Sequence, residues 1–381
     1  MREEKVEGQS LSLFAIIAVI LTFGLVMLGS ATAPIGAEKF GSAYHFLTRQ
    51  ILLGLLPGAL LFIILRQVPL AWWEKSWKAM FVLSIVILGA VFVPGLGLKI
   101  NGSLSWIHVG PYSLQPAELV KFTFIAFLAG WLAQNKKLLS RGFNEGLLPY
   151  LLYAGVICGM ILLQPDLGTV LVLFLTTTVL AYIAGAQKQH LGILAGIGAI
   201  ILVIMIAAAP YRLQRITVLF DPDKDPYGSG YHIKQSLIAV GGGGVLGMGL
   251  GNSRQKFQYL PEVSADSIFA VIAEEMGFII SMMLIGAYIL VVLKGYQLSR
   301  EAPSDWARYF IIGTVTWIGI QTAFNIGAML AILPLTGLPL PLVSHGGSSL
   351  MITLAAFGVI SGIVSPPEVS SAARHERHKR I

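Results

Sequence analysis

A chain of 381 residues that is 55% hydrophobic and only 12% charged, with a mean hydropathy of +0.77, has too little polar surface to cover a water-soluble globule. It is read as an integral membrane protein folded as one polytopic domain. The net charge of +7 would point a soluble chain toward nucleic acid, but here the basic residues stand in short segments between apolar runs, where they orient helices, and no aromatic-basic patch accompanies them. The one cysteine, Cys158, lies within an apolar run and excludes both a disulfide framework and a cysteine metal cluster.

The first apolar run, 11–31, lacks a small-residue cleavage site with a soluble domain behind it, so it reads as a retained span. Further runs of about 20 residues, the length that crosses the hydrocarbon, fall at 48–66, 77–96, 117–134, 146–164, 167–186, 190–210, 267–293, 309–333 and 346–365. The expected fold is an all-α integral membrane protein of ten transmembrane helices. Its parts are a cytoplasmic N-terminal segment 1–10, a transmembrane domain 11–365 with a long periplasmic loop 211–266, and a basic cytoplasmic tail 366–381. Lysine and arginine asymmetry places both termini inside. Arg66, Lys75, Lys78, Lys136, Lys137, Arg141, Lys188, Lys294, Arg300 and Arg308 fall on the inner side, whereas the short outer loops hold Lys39, Arg49 and Lys99. The tail, with Arg374, Arg377, Lys379 and Arg380, reads as a disordered basic anchor near anionic headgroups.

Polar constellations interrupt this pattern. Asn101-Gly102-Ser103-Leu104-Ser105-Trp106-Ile107 precedes Gln115-Pro116-Ala117-Glu118-Leu119-Val120-Lys121, where Pro116 suits a first helical turn and Glu118 and Lys121 share a face. A lone charge at the bilayer centre costs on the order of 3 kcal/mol, so the two are expected to pair, either as a structural ion pair or as the lining of a polar cavity. Gln164-Pro165-Asp166-Leu167-Gly168-Thr169 is a tight outer turn in which Asp166 is expected to cap the next helix. In the long loop, Asp221-Pro222-Asp223-Lys224-Asp225-Pro226 fails as a calcium loop because Pro226 stands where glycine is needed. The glycines from Gly242 to Gly247 match a dinucleotide fingerprint by letter only. The expectation there is a short amphipathic helix, 231–240, lying at the membrane surface and running into a glycine hinge. The stretch Leu338-Pro339-Leu340-Pro341-Leu342-Val343-Ser344-His345-Gly346-Gly347-Ser348-Ser349 is irregular at membrane depth, which fits either a cavity floor or close helix packing.

The loop ends in Tyr259-Leu260-Pro261-Glu262-Val263-Ser264-Ala265-Asp266, just before a helix re-enters the membrane, and Asp266 is read as its working carboxylate. A helix dipole favours its ionised form and a partly dry cavity disfavours it, so a base ready at neutral pH needs the two in balance. The alternative is that Asp266 merely caps that helix.

The motifs at 115–121, 164–169, 225–232 (Asp225-Pro226-Tyr227-Gly228-Ser229-Gly230-Tyr231-His232), 259–262 and 339–349 resemble, in order and over nearly the whole chain, the SEDS family (shape, elongation, division and sporulation). Gly249-Leu250-Gly251-Asn252-Ser253-Arg254-Gln255-Lys256 looks more like the division branch of that family than the elongation branch. The resemblance implies a multi-pass protein of the bacterial cytoplasmic (inner) membrane. It would act as a peptidoglycan glycosyltransferase polymerising lipid II, an undecaprenyl-linked substrate, at the outer face during cell division or wall growth. Its implied partner is a class B penicillin-binding protein, a single-span transpeptidase. The family's essential aspartate falls on Asp266 and its helix ion pair on Glu118 and Lys121. The chain departs from the family's usual residues at Ser264-Ala265, Ser105 and His345.

Chain growth of this kind needs a carboxylate to take a proton from the attacking sugar hydroxyl and positive charge to stabilise a departing lipid pyrophosphate. Asp266 suits the first role. Lys121, Arg212, Arg215, Arg254 and Lys256 are candidates for the second, alone or with a divalent cation such as magnesium or manganese, and Ser344, His345 and Ser348 are candidate cavity-lining residues. A lipid II flippase would need the cavity without the base, and a non-catalytic scaffold of the wall-synthesis complex would need neither.

Overall fold

The computed structural model describes residues 2–100, 103–109, 112–139, 142–207, 210–257 and 259–365. The basic tail 366–381, Asn101, Gly102, Arg141 and Gln258 lie outside the described residues. Helix α1 runs Arg2–Phe40, so the segment 2–10 continues the first span as helix. The second span is α2 (His45–Gln50) joined to α3 (Leu56–Arg66) through a π-helical stretch, Ile51–Leu55. Then follow α4 (Leu70–Ala90), α5 (Pro116–Leu139), α6 (Leu148–Leu162), α7 (Leu167–Ile183) and α8 (Lys188–Ala207). After the loop region come α11 (Ile268–Arg300), α12 (Asp305–Met329) and α13 (Gly347–Val364). Each apolar run read as a span contains a helix among its described residues. Seven helices among the described residues are long and apolar enough to cross a membrane, with Leu167–Ile183 and Lys188–Ile201 as shorter apolar helices, which is compatible with ten spans.

Two parts of the architecture go beyond the span pattern. Strands β1 (Gly97–Ile100), β2 (Ser103–Val109) and β3 (Tyr112–Leu114) form a small antiparallel sheet in the order β1-β2-β3 between α4 and α5. Such strands are too short and too mixed to stand out beside membrane-length runs. The long loop is itself largely helical, with α9 (Pro210–Phe220) and α10 (Ser229–Gly242). Helix α10 exceeds the expected 231–240 and is not a surface helix alone, since it buries His232, Ile233, Ser236 and Ala239 and packs on α11 and α12.

Helix α5 is the central column. All its residues from Val120 to Leu132 are buried, and α4, α7, α12 and α13 pack around it. Close approach between α13 and α3 uses Gly358 and Gly362, one turn apart, where an added Cβ would stand 2.6 Å from the Phe62 backbone and 2.4 Å from the Arg66 carbonyl.

The glycine segment after α10 packs into a break in α11. Gly277 has φ 75° and ψ −176°, which interrupts the helical ladder and would leave peptide groups bare inside the membrane. The segment 244–249 supplies the partners. Met248 and Gly249 N–H donate to the Glu274 and Glu275 carbonyls at 3.0 and 2.9 Å, and Phe278 and Ile279 N–H donate to the Gly244 and Val245 carbonyls at 2.9 and 3.3 Å. The expected hinge is therefore a clamp, because free glycine rotation there would break four backbone bonds. A Cβ at Gly277 would lie 2.2 Å from the Gly247 nitrogen and would be forced into a left-handed backbone as well. Gly277→Ala should therefore destabilise the protein by at least about 2 kcal/mol, read as a lower melting temperature in detergent, whereas Gly286→Ala, where an added Cβ meets nothing within 4 Å, should melt like the parent.

Candidate active site

Residues 259–267 form a run of tight turns leading into α11. Glu262 adopts φ 48°, and its carbonyl accepts from the Ala265 and Ser267 N–H groups at 3.0 and 3.3 Å. This curls the chain so that Ser267, not Asp266, is the residue preceding α11, and no side chain caps that helix. The helix-capping reading of Asp266 therefore has no bond to support it.

The turn is pinned from three directions. Ser267 Oγ lies 2.7 Å from the Pro261 carbonyl, to which it donates, and shares a 2.6 Å hydrogen bond with His232 Nε2. Burial, reinforced by the Arg215 charge, pushes the His232 imidazole down to about 4 and keeps it neutral at ordinary pH. From α12, Asn325 Nδ2 donates to the Asp266 carbonyl and to the Leu338 carbonyl, each at 2.8 Å. From the irregular stretch before α13, Ser344 Oγ donates to the Ala265 carbonyl and His345 N–H donates to the Ser264 carbonyl at 2.8 Å.

Against this fixed backbone the Asp266 carboxyl is half-buried, and its Oδ1 is shut from solvent without a hydrogen-bond partner. Burial pushes it up to about 7, with Glu262 adding to the rise while its own backbone, Arg215 and Ser267 oppose it. A carboxyl poised there is half ionised at neutral pH.

A cavity of about 130 Å³ opens beside α9, lined by Asp166, Arg212, Arg215, Ile216, Leu335 and Thr336 among others. Arg212 and Arg215 stand three apart on α9 and so share a face. Arg215 Nη1 donates to the Leu335 carbonyl at 2.9 Å, and its positive charge lowers the proton affinity of both Asp266 and His232, while Asp266 itself is not among the residues lining the cavity. Asp166 caps α7 as expected, accepting from Thr169 N–H at 3.0 Å and Thr169 Oγ1 at 2.8 Å. Burial raises the Asp166 carboxyl and the Thr169 bonds lower it.

The other sequence-derived candidates lie elsewhere. Lys121 bonds Glu118 at 2.7 Å with both side chains buried, and its Nζ also donates to Gln321 Oε1 at 2.7 Å and lies 5.0 Å from the centre of the Trp317 ring. Neither residue lines the cavity, although the charges of both act on Asp166, which does. Lys256 is buried too, donating to Glu275 at 2.8 Å and to the Gly251 carbonyl at 2.6 Å. Arg254 is exposed, with its backbone N–H bonded to Glu274 at 3.0 Å. Ser348 Oγ accepts from Gln115 N–H at 3.2 Å and donates to the Ser113 carbonyl at 3.3 Å, tying β3 to α13. Ser344 and His345 act through the turn, as described above.

Sequence reasoning passed over Glu274, Glu275, Gln321 and Asn325. Glu274 gathers the Ser253 hydroxyl and the Arg254 and Gln255 N–H groups, and Glu275 bonds Ser30 at 2.7 Å as well as Lys256. The signal was present, since carboxylates and carboxamides inside apolar runs are expensive unless partnered and so mark a fixed polar network.

The family model for the FtsW, RodA and SpoVE cell cycle proteins matches residues 10–366. The chain belongs to this family. It is 39% identical over 363 residues to stage V sporulation protein E of Bacillus subtilis, covering 94% of this chain and 98% of that one. It is also 37% identical over 352 residues to the probable peptidoglycan glycosyltransferase FtsW of Coxiella burnetii, covering 92% and 94%. FtsW relatives of this kind agree with the division-branch likeness of residues 249–256. Among solved structures, a chain described under structural coordination of polymerization and crosslinking by a peptidoglycan synthase complex superposes with a TM-score of 0.77 at 29% identity, covering 93% of this chain and 96% of that one. The rod shape determining protein RodA of Thermus thermophilus superposes at 0.67 with 28% identity, covering 93% and 95%.

Because both members of the Glu118 and Lys121 pair are dry, removing either one strands the other. Glu118→Gln or Lys121→Met should each cost about 3 to 5 kcal/mol, and the double variant should cost clearly less than their sum. Additive losses in a thermal double-mutant cycle would show that the two do not interact.

Proposed function

We propose that this protein is a peptidoglycan glycosyltransferase that polymerises lipid II at the outer face of the bacterial cytoplasmic membrane, with Asp266 as general base. The observation that carries this reading is a carboxyl on a turn pinned from three directions, buried enough to be raised to about 7, and within the field of Arg215, which lines the cavity beside α9. The names of the FtsW relatives and the peptidoglycan synthase complex support it.

In the reaction, the acceptor sugar hydroxyl attacks the anomeric carbon of the donor and gives its proton to Asp266. A new glycosidic C–O bond forms as the bond to the lipid diphosphate breaks and that group leaves with the electron pair. Asp266 supplies the base, and the fixed turn supplies proximity. Arg212 and Arg215, which line the cavity, would meet the diphosphate charge in this reading, with exposed Arg254 as a further candidate. Lys256 and Lys121, already bonded to buried carboxylates, are assigned to holding the fold. Among the described residues no group of three or more metal-ligating side chains comes together, so a magnesium or manganese ion would depend on the substrate's own phosphates, and no step here passes through it. A class B penicillin-binding protein is the proposed partner.

Asp266→Asn keeps the size and removes the proton acceptor. Incubated with lipid II and the partner, it should lose about 100-fold or more in polymer formation, and Asp266→Glu should also be poor because its carboxylate moves by about 1 Å. The parent rate should climb as pH rises through about 7, where Asp266 ionises, and then level off. Near-normal polymer from Asp266→Asn would remove the general-base assignment, and lipid transfer without polymer from the parent would favour a flippase.

The proposed orientation puts both termini in the cytoplasm and the Asp266 region outside. A cysteine at Tyr227, which is 97% exposed, should react with an impermeant maleimide on intact spheroplasts, and one at Pro303 should react only after permeabilisation. The opposite labelling pattern would invert the topology.

A further inference from the structure

Asn325 lies one helical turn beyond Gln321 on α12, and both side chains are buried. The Asn325 carboxamide sits where three segments meet: α12, the stretch 338–345 and the turn that carries Asp266. Its Nδ2 has two hydrogens and gives one to the Asp266 carbonyl and one to the Leu338 carbonyl. Its Oδ1 is buried with no partner. A side chain present only to fill space would not leave an acceptor bare in that position, because an apolar group of the same shape would avoid the cost. The donor half is what the position uses.

Gln321 repeats the arrangement one turn earlier. Its Nε2 donates to the Pro339 carbonyl at 2.8 Å, while its Oε1 accepts from Lys121 Nζ at 2.7 Å and Trp317 Nε1 at 2.9 Å. Two consecutive loop carbonyls, at Leu338 and Pro339, are thus held by carboxamides spaced i and i+4 on one helix face, which sets the register of the loop along α12. The far end of the same loop returns to the turn through Ser344 and His345. The result is a closed circuit of bonds in which Asn325 reaches the residue that bears the carboxylate.

We propose that Asn325 is a positioning residue for glycosyl transfer: its paired donation, one hydrogen to the Asp266 carbonyl and one to the Leu338 carbonyl, aims the Asp266 carboxylate, and Gln321 anchors that arrangement to the Glu118 and Lys121 pair. The proposal rests on the reading of Asp266 as base. A displacement of about 1 Å at a reacting group costs on the order of 100-fold in rate, so loss of the clamp acts on turnover more than on substrate binding.

The test uses the full chain with its partner and lipid II, comparing the parent with Asn325→Ala and with Asn325→Asp, which keeps the volume and loses the donor. Per folded molecule, each variant should polymerise at least 10-fold more slowly with a half-saturating lipid II concentration within about 2-fold of the parent. Amide hydrogen exchange across residues 260–267 should quicken in both, with exchange in α5 unchanged. Should Asn325→Ala fail to fold, Asn325→Asp decides alone. Parent-like turnover, or a change confined to the half-saturating concentration, overturns the proposal. So does unchanged exchange at 260–267, and that result stands even if the parent makes no polymer, in which case the glycosyltransferase reading fails separately.

Discussion

A peptide group or charge inside hydrocarbon has no water to fall back on, and the arrangement of this protein follows from that constraint. The chain meets it by collecting its buried polar groups into connected networks. Glu118, Lys121, Trp317 and Gln321 form one, and Glu274, Glu275, Lys256, Ser30 and Ser253 form another. Each network pairs a buried lysine with a buried carboxylate, and each also holds an irregular segment in place. The first fixes the stretch around Pro339, and the second fixes residues 253–256.

The Asp266 turn lies between these two supports. It follows the segment held by Glu274 and Glu275 and faces the stretch held by Gln321 and Asn325. Rigid backbone around a carboxyl that is itself incompletely solvated is what general-base chemistry needs, because burial raises its proton affinity while bonds to neighbouring atoms hold its place. The cost of leaving Asp266 Oδ1 without a partner is carried by those surrounding bonds.

Much of this was legible in the sequence. Twenty-residue apolar runs gave the helices because length and hydropathy are strong signals in a membrane protein. Spacing paired Glu118 with Lys121, and turn chemistry made Asp166 a cap. Motifs led to the family and to Asp266. The misses have physical reasons. The three-stranded sheet is too short to rise above its apolar surroundings. The glycine stretch 242–247 reads as a hinge in isolation, and only the break at Gly277, thirty residues later in the chain, makes it a clamp. Lys256 looked available for substrate because the partner that claims it, Glu275, was hidden in an apolar run.

The interruption at Gly277 has a mechanical side. Helix α11 has 33 residues and would be about 50 Å long if unbroken, well beyond the roughly 30 Å of hydrocarbon, so a straight rod of that length has to tilt with every change in bilayer thickness. The break at Gly277 divides that length into a short piece, Ile268 to Met276, and a long one from Phe278 onward, and the segment 244–249 bonds both sides of the break, through Glu274 and Glu275 on one and Phe278 and Ile279 on the other. Asp266 stands two residues ahead of the short piece, so the splint that spans the break also braces the helix start beside the carboxylate.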